Sequence, residues 1–378
     1  MDYSNFAMFD TLAGVADLLS SQEGGKLSYR FCEFSGEVTT HKEKALEDID
    51  ILEATYSLER DYRWAKQPPA KGRVHDAIIL AASRNSFHPI RDYLNSLKYD
   101  GKEERVQFLF SRYMGGVDSR LRREQSKKFM VSAVARVMTP GVKVDTMPVL
   151  IGKQGIGKST IIKKLAVKKE WFQDTPLDLK NKDCYDAIKG AWFVEIAEMK
   201  SVLAASPEAV KAFLTGTHDT YRPAYARCKT RHARQCVFFG TSNYLHLGDT
   251  TGNRRYWPVV LENSPNLVKL DRDVHQLWAE AVALWKDGYP HWLDDESLLA
   301  EAEAEVKEFQ FVDPWEELIA TWGFTEFTVS QALERLGVAP EKQLKRDAMR
   351  LAKLLRVGGY TKKRKTVDGV KLTFWHKL

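Results

Sequence analysis

No stretch of the 378 residues approaches eighteen consecutive apolar positions, so nothing in the chain reads as a membrane span. Its first residues, MDYSNFAMFDTLAG, lack a basic run leading into a long apolar one, so no signal peptide is expected. Cysteine is scarce, with only Cys32, Cys184, Cys228 and Cys236 and no C-x-x-C pair. Cys228, His232 and Cys236 are evenly spaced, but Cys236 opens an apolar strand and no fourth ligand is evident, which argues against zinc. Such usage suits a reducing, cytoplasmic setting. Internal repeats and low-complexity tracts are missing too. Between Thr220 and Gly248 there is not one acid.

The net charge of +6 is unevenly spread. Residues 342–378 hold twelve Lys or Arg against Asp347 and Asp368, so that tail carries +10 and the rest of the chain −4. A basic terminal module on a mildly acidic body points to a nucleic-acid contact. The length allows two or three domains with a real core.

The chain is organised around residues 147–165, MPVLIGKQGIGKSTIIKKL. A short apolar strand, Met147 to Ile151, runs into a glycine-rich loop and then a helix opening at Lys158. The loop fits G-x-x-x-x-G-K-[ST] at Gly152, Gly157, Lys158 and Ser159. Glycines let successive N–H groups turn inward as an anion nest, and the helix start adds partial positive charge. Lys158 would reach the β- and γ-phosphates and the Ser159 hydroxyl would hold Mg²⁺. The expected cofactors are therefore ATP and Mg²⁺.

Downstream, AWFVEI at 191–196 reads as a second buried strand carrying Glu195, with Glu198 just past its end. An acid at such a strand end orients the metal's water shell and polarises the attacking water. Glu198 is preferred as catalytic acid and metal partner, with Glu195 as second choice. A third buried strand, QCVFFG at 235–240, leads to Asn243, whose amide can bond the γ-phosphate or the attacking water. Beyond it, Arg254 and Arg255 are placed to reach the γ-phosphate of an adjacent subunit in trans. Ser206 fits the N-cap, and Pro207 the first position, of a helix bearing Lys211. In the acid-free segment Arg222, Arg227, Lys229, Arg231 and Arg234 alternate with Tyr221 and Tyr225, a pattern suited to tracking and stacking a single strand.

Before the P-loop, helices are expected around Val15 to Ser20, Leu46 to Leu58, Val74 to Asn85 and Gln125 to Val137. PPAKG at 68–72 reads as a linker and Thr139-Pro140-Gly141 as the turn into the P-loop strand. Near the C-terminus an acidic helix (298–311) is followed by helices at 328–336 and 341–355. A basic hairpin then turns at Asp368-Gly369. Helix, helix, hairpin is the order of a winged helix.

Taken in order, GKQGIGKST, WFVEIAEM, KAFLTGTHDTYRPAY, VFFGTSN and DTTGNRRYWPV resemble the virulence-associated protein E family, P-loop ATPases of phages, prophages and pathogenicity islands. HPIRDYLNSLKYDG and AVARVMTPGVKVD add to a resemblance covering about residues 75–290. The order of motifs is also similar to superfamily-3 helicases, AAA+-like ring ATPases that unwind DNA. This resemblance implies an α/β fold with an AAA+-like P-loop core. Gly152, Gln154, Gly155, Ile156, Gly157, Lys158, Ser159 and Thr160 would then form Walker A, Glu195 and Glu198 Walker B, and Asn243 sensor 1. Lys211 to Arg234 would carry the DNA-contacting hairpin, and Arg254 and Arg255 the arginine finger. A ring, expected as a hexamer, on single-stranded or forked DNA in a bacterial host follows from the same likeness. Many relatives carry a primase-polymerase domain, whereas no paired metal-binding acids stand ahead of this ATPase, so a separate primase is an expected partner.

The expected layout is a helical N-terminal region (1–120), the ATPase (121–292), an acidic connector helix (293–312) and a winged-helix-like module (313–378). Three other activities compete. A GTPase is disfavoured because Asp249-Thr250-Thr251-Gly252 lies 91 residues after Lys158, and Asn181-Lys182-Asp183 puts its acid one place early for N-K-x-D. A small-molecule kinase needs no basic loop or trans arginine. A DNA-binding ATPase that loads or regulates replication proteins without unwinding shares every motif.

Overall fold

The computed structural model describes residues 11–21, 27–61, 67–174, 176–179, 181, 183–199, 205–221, 230–244, 253–309, 313–323, 326–367 and 370–377. They fall into two compact units, residues 1–309 and 310–378.

The first unit begins with α1 (Leu12–Ser20), β1 (Tyr29–Cys32), β2 (Glu37–Thr40), α2 (Asp48–Asp61), α3 (Lys71–Ser83), β3 (Ser86–Phe87) and α4 (Pro89–Ser96). This region was expected to be helical, but β2, β1 and β3 form a small sheet, antiparallel between β1 and β2 and parallel between β1 and β3. Gly36, at φ 64°, makes the left-handed turn that lets four-residue strands pair. Val15, Leu19, Ile51, Leu58, Val74 and Ile78 close a separate core over it. Periodicity alone hides strands this short.

From α4 onward the packing is continuous with the central sheet. Ile90, Leu94, Val106 and Phe110 share one core with α5 (Arg120–Met138) and the sheet's inner face, so packing does not break at the expected boundary of 120. The chain continues through β4 (Met147–Ile151), α6 (Lys158–Leu165), β5 (Phe172–Gln173), α7 (Asp183–Ala187), β6 (Phe193–Ile196) and α8 (Pro207–Thr215). The hairpin β7 (His218–Tyr221) and β8 (Thr230–Ala233) follows, then β9 (Val237–Ser242), β10 (Tyr256–Val260), α9 (Leu267–Lys286) and α10 (Glu296–Glu308).

The five-stranded sheet runs β10-β4-β9-β6-β5, and every pair in it is parallel. Its strands read as near-continuous apolar runs because both faces are covered. Leu150, Phe193, Phe239 and Trp257 face α5, α6 and α9, while Val149, Val194, Phe238 and Tyr256 face α7 and α8. Trp192 and Trp278 meet at 4.3 Å, and their indole N–H groups donate to Ala133 O and Leu165 O, both at 3.0 Å, so neither buried ring leaves an orphan donor. The acidic helix expected as a connector packs on this unit. Arg122 pairs with Glu305, Arg120 with Asp295 at 2.7 Å, and Leu298 and Ala302 cover Leu121.

The second unit orders α11 (Pro314–Ala320), β11 (Glu326–Thr328), α12 (Val329–Arg335), α13 (Lys345–Val357), β12 (Tyr360–Val367) and β13 (Val370–Lys377). Its antiparallel sheet runs β11-β13-β12. Thr328 starts α12 with a capping box to Gln331. Leu333, Leu351, Leu355, Tyr360 and Trp375 form its core.

Candidate functional site

The P-loop lies where β4 ends, between β10 and β9 in the parallel sheet. Gly155 and Gly157 adopt φ of 77° and 107°, conformations that favour glycine, and Gly157 caps α6 without any side-chain bond. The first turn of α6 thus keeps its N–H groups for an anion. Gly152 is held by a different constraint, since a Cβ there would meet Leu261 Cβ at 3.3 Å. Gln154, Ser159 and Thr160 stand exposed on the loop and helix start, and Ile156 is half-buried.

Lys158 Nζ donates to Gly152 O at 2.5 Å, Lys153 O at 3.0 Å and Asn243 Oδ1 at 3.2 Å. Partial burial lowers its pKa from the usual lysine range, against the pull of Glu195 and Glu198. The lysine therefore sits folded onto its own loop, with its charge directed at the site.

The two acids occupy different settings. Glu195 is only 2% exposed. Its Oε1 accepts from Ser159 Oγ and from Thr241 Oγ1, both at 2.7 Å, while Oε2 is buried with no hydrogen-bond partner. Glu198 is exposed just beyond β6, at φ 51°, followed by Met199 at φ 53°. Met199 is fully buried, and Gly240 makes room for it: a Cβ at Gly240 would lie 2.4 Å from the Met199 sulfur. A buried anchor thus turns Glu198 outward at the strand end. Sequence reasoning paired Ser159 with Glu198 as the metal set, whereas the hydroxyl bonds Glu195. Glu195 shares its side of β6 with Phe193, facing α6, and a run buried on both sides gives no sign in the sequence of which side that is.

Thr241, unnoticed in the sequence, ties β9 to the acid, and Asn243 two residues on ties the same strand to Lys158. The donor set fits a hydrated divalent cation, with a hydroxyl and a buried carboxylate whose second oxygen lacks a partner. At the far edge of the sheet Arg254 is exposed, while Arg255 is 7% exposed and packs within its own chain.

Of the six residues read as DNA contacts, Lys211 and Arg231 are exposed on α8 and β8. Arg222, Arg227 and Lys229 lie outside the described residues, as do Cys228 and the turn 249–252. Arg234 must be withdrawn from the set. It is buried, with Nε donating to Asp219 Oδ2 at 3.0 Å, Nη2 to Asp219 Oδ1 and Nη1 to Phe213 O. A guanidinium consumed by a buried carboxylate and a carbonyl cannot track phosphates. Its partner lies just outside the acid-free window, which is why a charge count over 220–248 missed it. No group of three or more His, Cys, Asp or Glu among the described residues could hold a metal. No helix among them is long and apolar enough to cross a membrane.

No curated protein matches the chain. Among solved structures it is similar to the apo C-terminal region of NrS-1, at 11% identity, TM-score 0.41, and 75% of this chain over 78% of that one. Two further structures of that region give 13% and 11% identity with TM-scores of 0.39 and 0.42. The virulence-associated protein E-like domain model matches residues 94–310, more than half the sequence and the whole P-loop sheet, and the chain belongs to that family.

Proposed function

We propose that this protein is an ATP-hydrolysing ring motor, expected as a hexamer, that translocates on DNA during replication of a phage or other mobile element. One observation carries the reading most directly: Ser159 and Thr241 converge on Glu195 beside a P-loop whose lysine contacts Asn243. The strand order, with β9 between the P-loop strand and the acidic strand, supports an AAA+-like core. The second unit's order of helix, strand, two helices and hairpin supports a winged helix.

In this mechanism the P-loop N–H groups seat the phosphates, and Lys158 exchanges its loop carbonyls for phosphate oxygens. Ser159 and Glu195 would hold Mg²⁺, which would supply charge neutralisation to the phosphates. Glu198, exposed at the strand end, orients the attacking water, and Asn243 reports the γ-position. Arg254 reaches across to the neighbouring subunit's site. Lys211, Arg231 and the segment between β7 and β8 form the single-strand path. Priming would come from a separate protein.

Steady-state ATP hydrolysis with and without single-stranded DNA, at low and moderate salt, tests the reading. Stimulation that fades with salt is expected, because the contact is to phosphates. Lys158→Ala should abolish turnover with the fold intact. Turnover indifferent to DNA would point to a kinase or an assembly factor, and stimulated turnover without strand separation to a loader.

A further inference from the structure

The second unit carries a charged surface that the nucleotide site leaves unexplained. Along α13, Ala348, Leu351, Ala352 and Leu355 pack into the core. Arg346, Met349, Lys353 and Arg356 follow at steps of three and four and are exposed, so they share the outer face of a 13-residue helix. Met349 is 66% exposed at its centre. The helix ends at Gly358-Gly359, and β12 leaves at once from Tyr360 as an edge strand of the sheet. On β12, Lys362, Lys363, Arg364 and Lys365 are all exposed, on both faces of the strand.

Arg346 lies 3.6 Å from Asp347, but local acids do not absorb the whole set. Lys365 pairs with Glu326 at 2.6 Å, and Arg350 at the edge of the helix pairs with Asp313 at 2.7 Å. Lys363, Arg364 and Arg356 have no ion-pair partner among the described residues. Edge strands with successive lysines resist pairing with other strands, which accounts for some of this charge. It does not account for the matching helix face.

The aromatic residues decide which nucleic acid fits. Phe327, Tyr360 and Trp375 are buried, and Arg350 lies over Trp315 at 4.0 Å. Lys362 covers Trp375 at 5.0 Å and Lys365 sits 5.9 Å from Phe374. Among the described residues of this unit no aromatic ring is exposed. A single-strand binder needs open ring faces for its bases, and the described rings of this unit are buried or half-buried. A duplex needs only cations at its backbone and an element that enters a groove. An α-helix fits a major groove about 12 Å wide, and Met349 supplies an apolar tip for base edges such as a thymine methyl.

We propose that α13 and β12 form a double-stranded DNA binding surface, with the helix face in the groove and the β12 cations on the adjoining backbone. It is a second nucleic-acid site, different in kind from the single-strand path in the first unit. It does not depend on the P-loop reading.

The test uses the full chain and a fluorescent random-sequence duplex, with an oligo-dT strand as comparison, and follows binding by anisotropy across a salt series. Lys363→Ala with Arg364→Ala should weaken duplex binding at least tenfold at low salt. The log–log salt slope should become shallower by about two, since each lost phosphate contact removes roughly 0.9. Arg346→Ala with Arg356→Ala should likewise weaken the duplex complex. Oligo-dT binding and DNA-stimulated turnover should be unchanged, and unchanged thermal unfolding checks the fold of each variant. Lys158→Ala should lose turnover and keep duplex binding, which separates failure of the motor reading from failure of this one. Duplex affinity and salt slope unaltered by the β12 pair, or equal losses on duplex and oligo-dT, would overturn the proposal.

Discussion

Replacing Asp219 with Asn should damage this protein far more than removing any exposed charge of the same hairpin. Asp219 and Arg234 are 7% and 1% exposed at their side chains and join through two hydrogen bonds. Next to them Arg136 is fully buried, donating to Val144 O at 3.0 Å and Gly216 O at 3.3 Å, with no carboxylate of its own. Burial pushes the Arg136 pKa down to about 10, and Asp219 works against that shift. Asp219 therefore neutralises Arg234 and, with Asp145, helps offset the buried charge of Arg136. Breaking a buried pair from one side costs about 3–5 kcal/mol because the remaining charge is left uncompensated. Against a total stability of roughly 5–15 kcal/mol, this is severe.

Urea unfolding by circular dichroism, with hydrogen exchange at β7 and β8 as the local readout, measures the effect. Arg231→Ala, exposed one strand position away from the pair, is the control and should stay within about 0.5 kcal/mol. The double variant Asp219→Leu with Arg234→Met should be milder than Asp219→Asn, because it leaves one buried guanidinium, Arg136, without the carboxylate rather than two. An Asp219→Asn protein as stable as the Arg231 control would refute the reasoning. The result also bears on the proposed DNA path: any loss of binding in Arg234→Ala would reflect a loosened hairpin root, and among the described residues Arg231 and Lys211 are the ones that test contact directly.

Glu198→Gln should retain nucleotide binding and lose roughly 10²–10⁴-fold in turnover, the range for a residue that handles a proton or positions water. Glu195→Gln should in addition weaken the Mg²⁺ dependence of binding, read by titrating the metal; identical behaviour of the two variants would erase the distinction drawn between them. Arg254→Ala should cost about 10³-fold in turnover and be rescued in rings mixed with Lys158→Ala subunits, whereas Arg255→Ala should act first on stability, seen as a lower unfolding temperature. Asp273 is held well below the usual carboxylate value of 3.8, first by Arg272, then by Lys269 and Tyr113. Its contribution is present above its unfolded pKa and is lost as pH falls through the folded one. Asp273→Asn should thus lower stability at pH 7 and flatten its decline below about pH 5; an unchanged acid limb would contradict this.

The P-loop was legible because its chemistry is local: one strand, one loop and one helix start within nineteen residues, with glycines at positions that the structure holds at φ of 77° and 107°. The three main sheet strands were legible as apolar runs for the reason that both faces are covered. What stayed hidden depended on partners distant in sequence. Which acid meets Ser159 is decided by the side of β6 that faces α6, and a run buried on both sides does not display it. Arg234 looked like its exposed neighbours because composition carries no burial, and its partner is set by the β7–β8 register pairing Asp219 with His232. The N-terminal sheet and β11 were missed because strands of two to four residues leave no period to read.

Thr241 and Asn243 explain why β9 belongs between the P-loop strand and the acidic strand. Thr241 at the end of β9 reaches Glu195, and Asn243 just past the strand reaches Lys158. A phosphate that draws Lys158 away from Gly152 O and Lys153 O must also release the Asn243 amide. That amide is then free at the point where the γ-phosphate and the attacking water would lie.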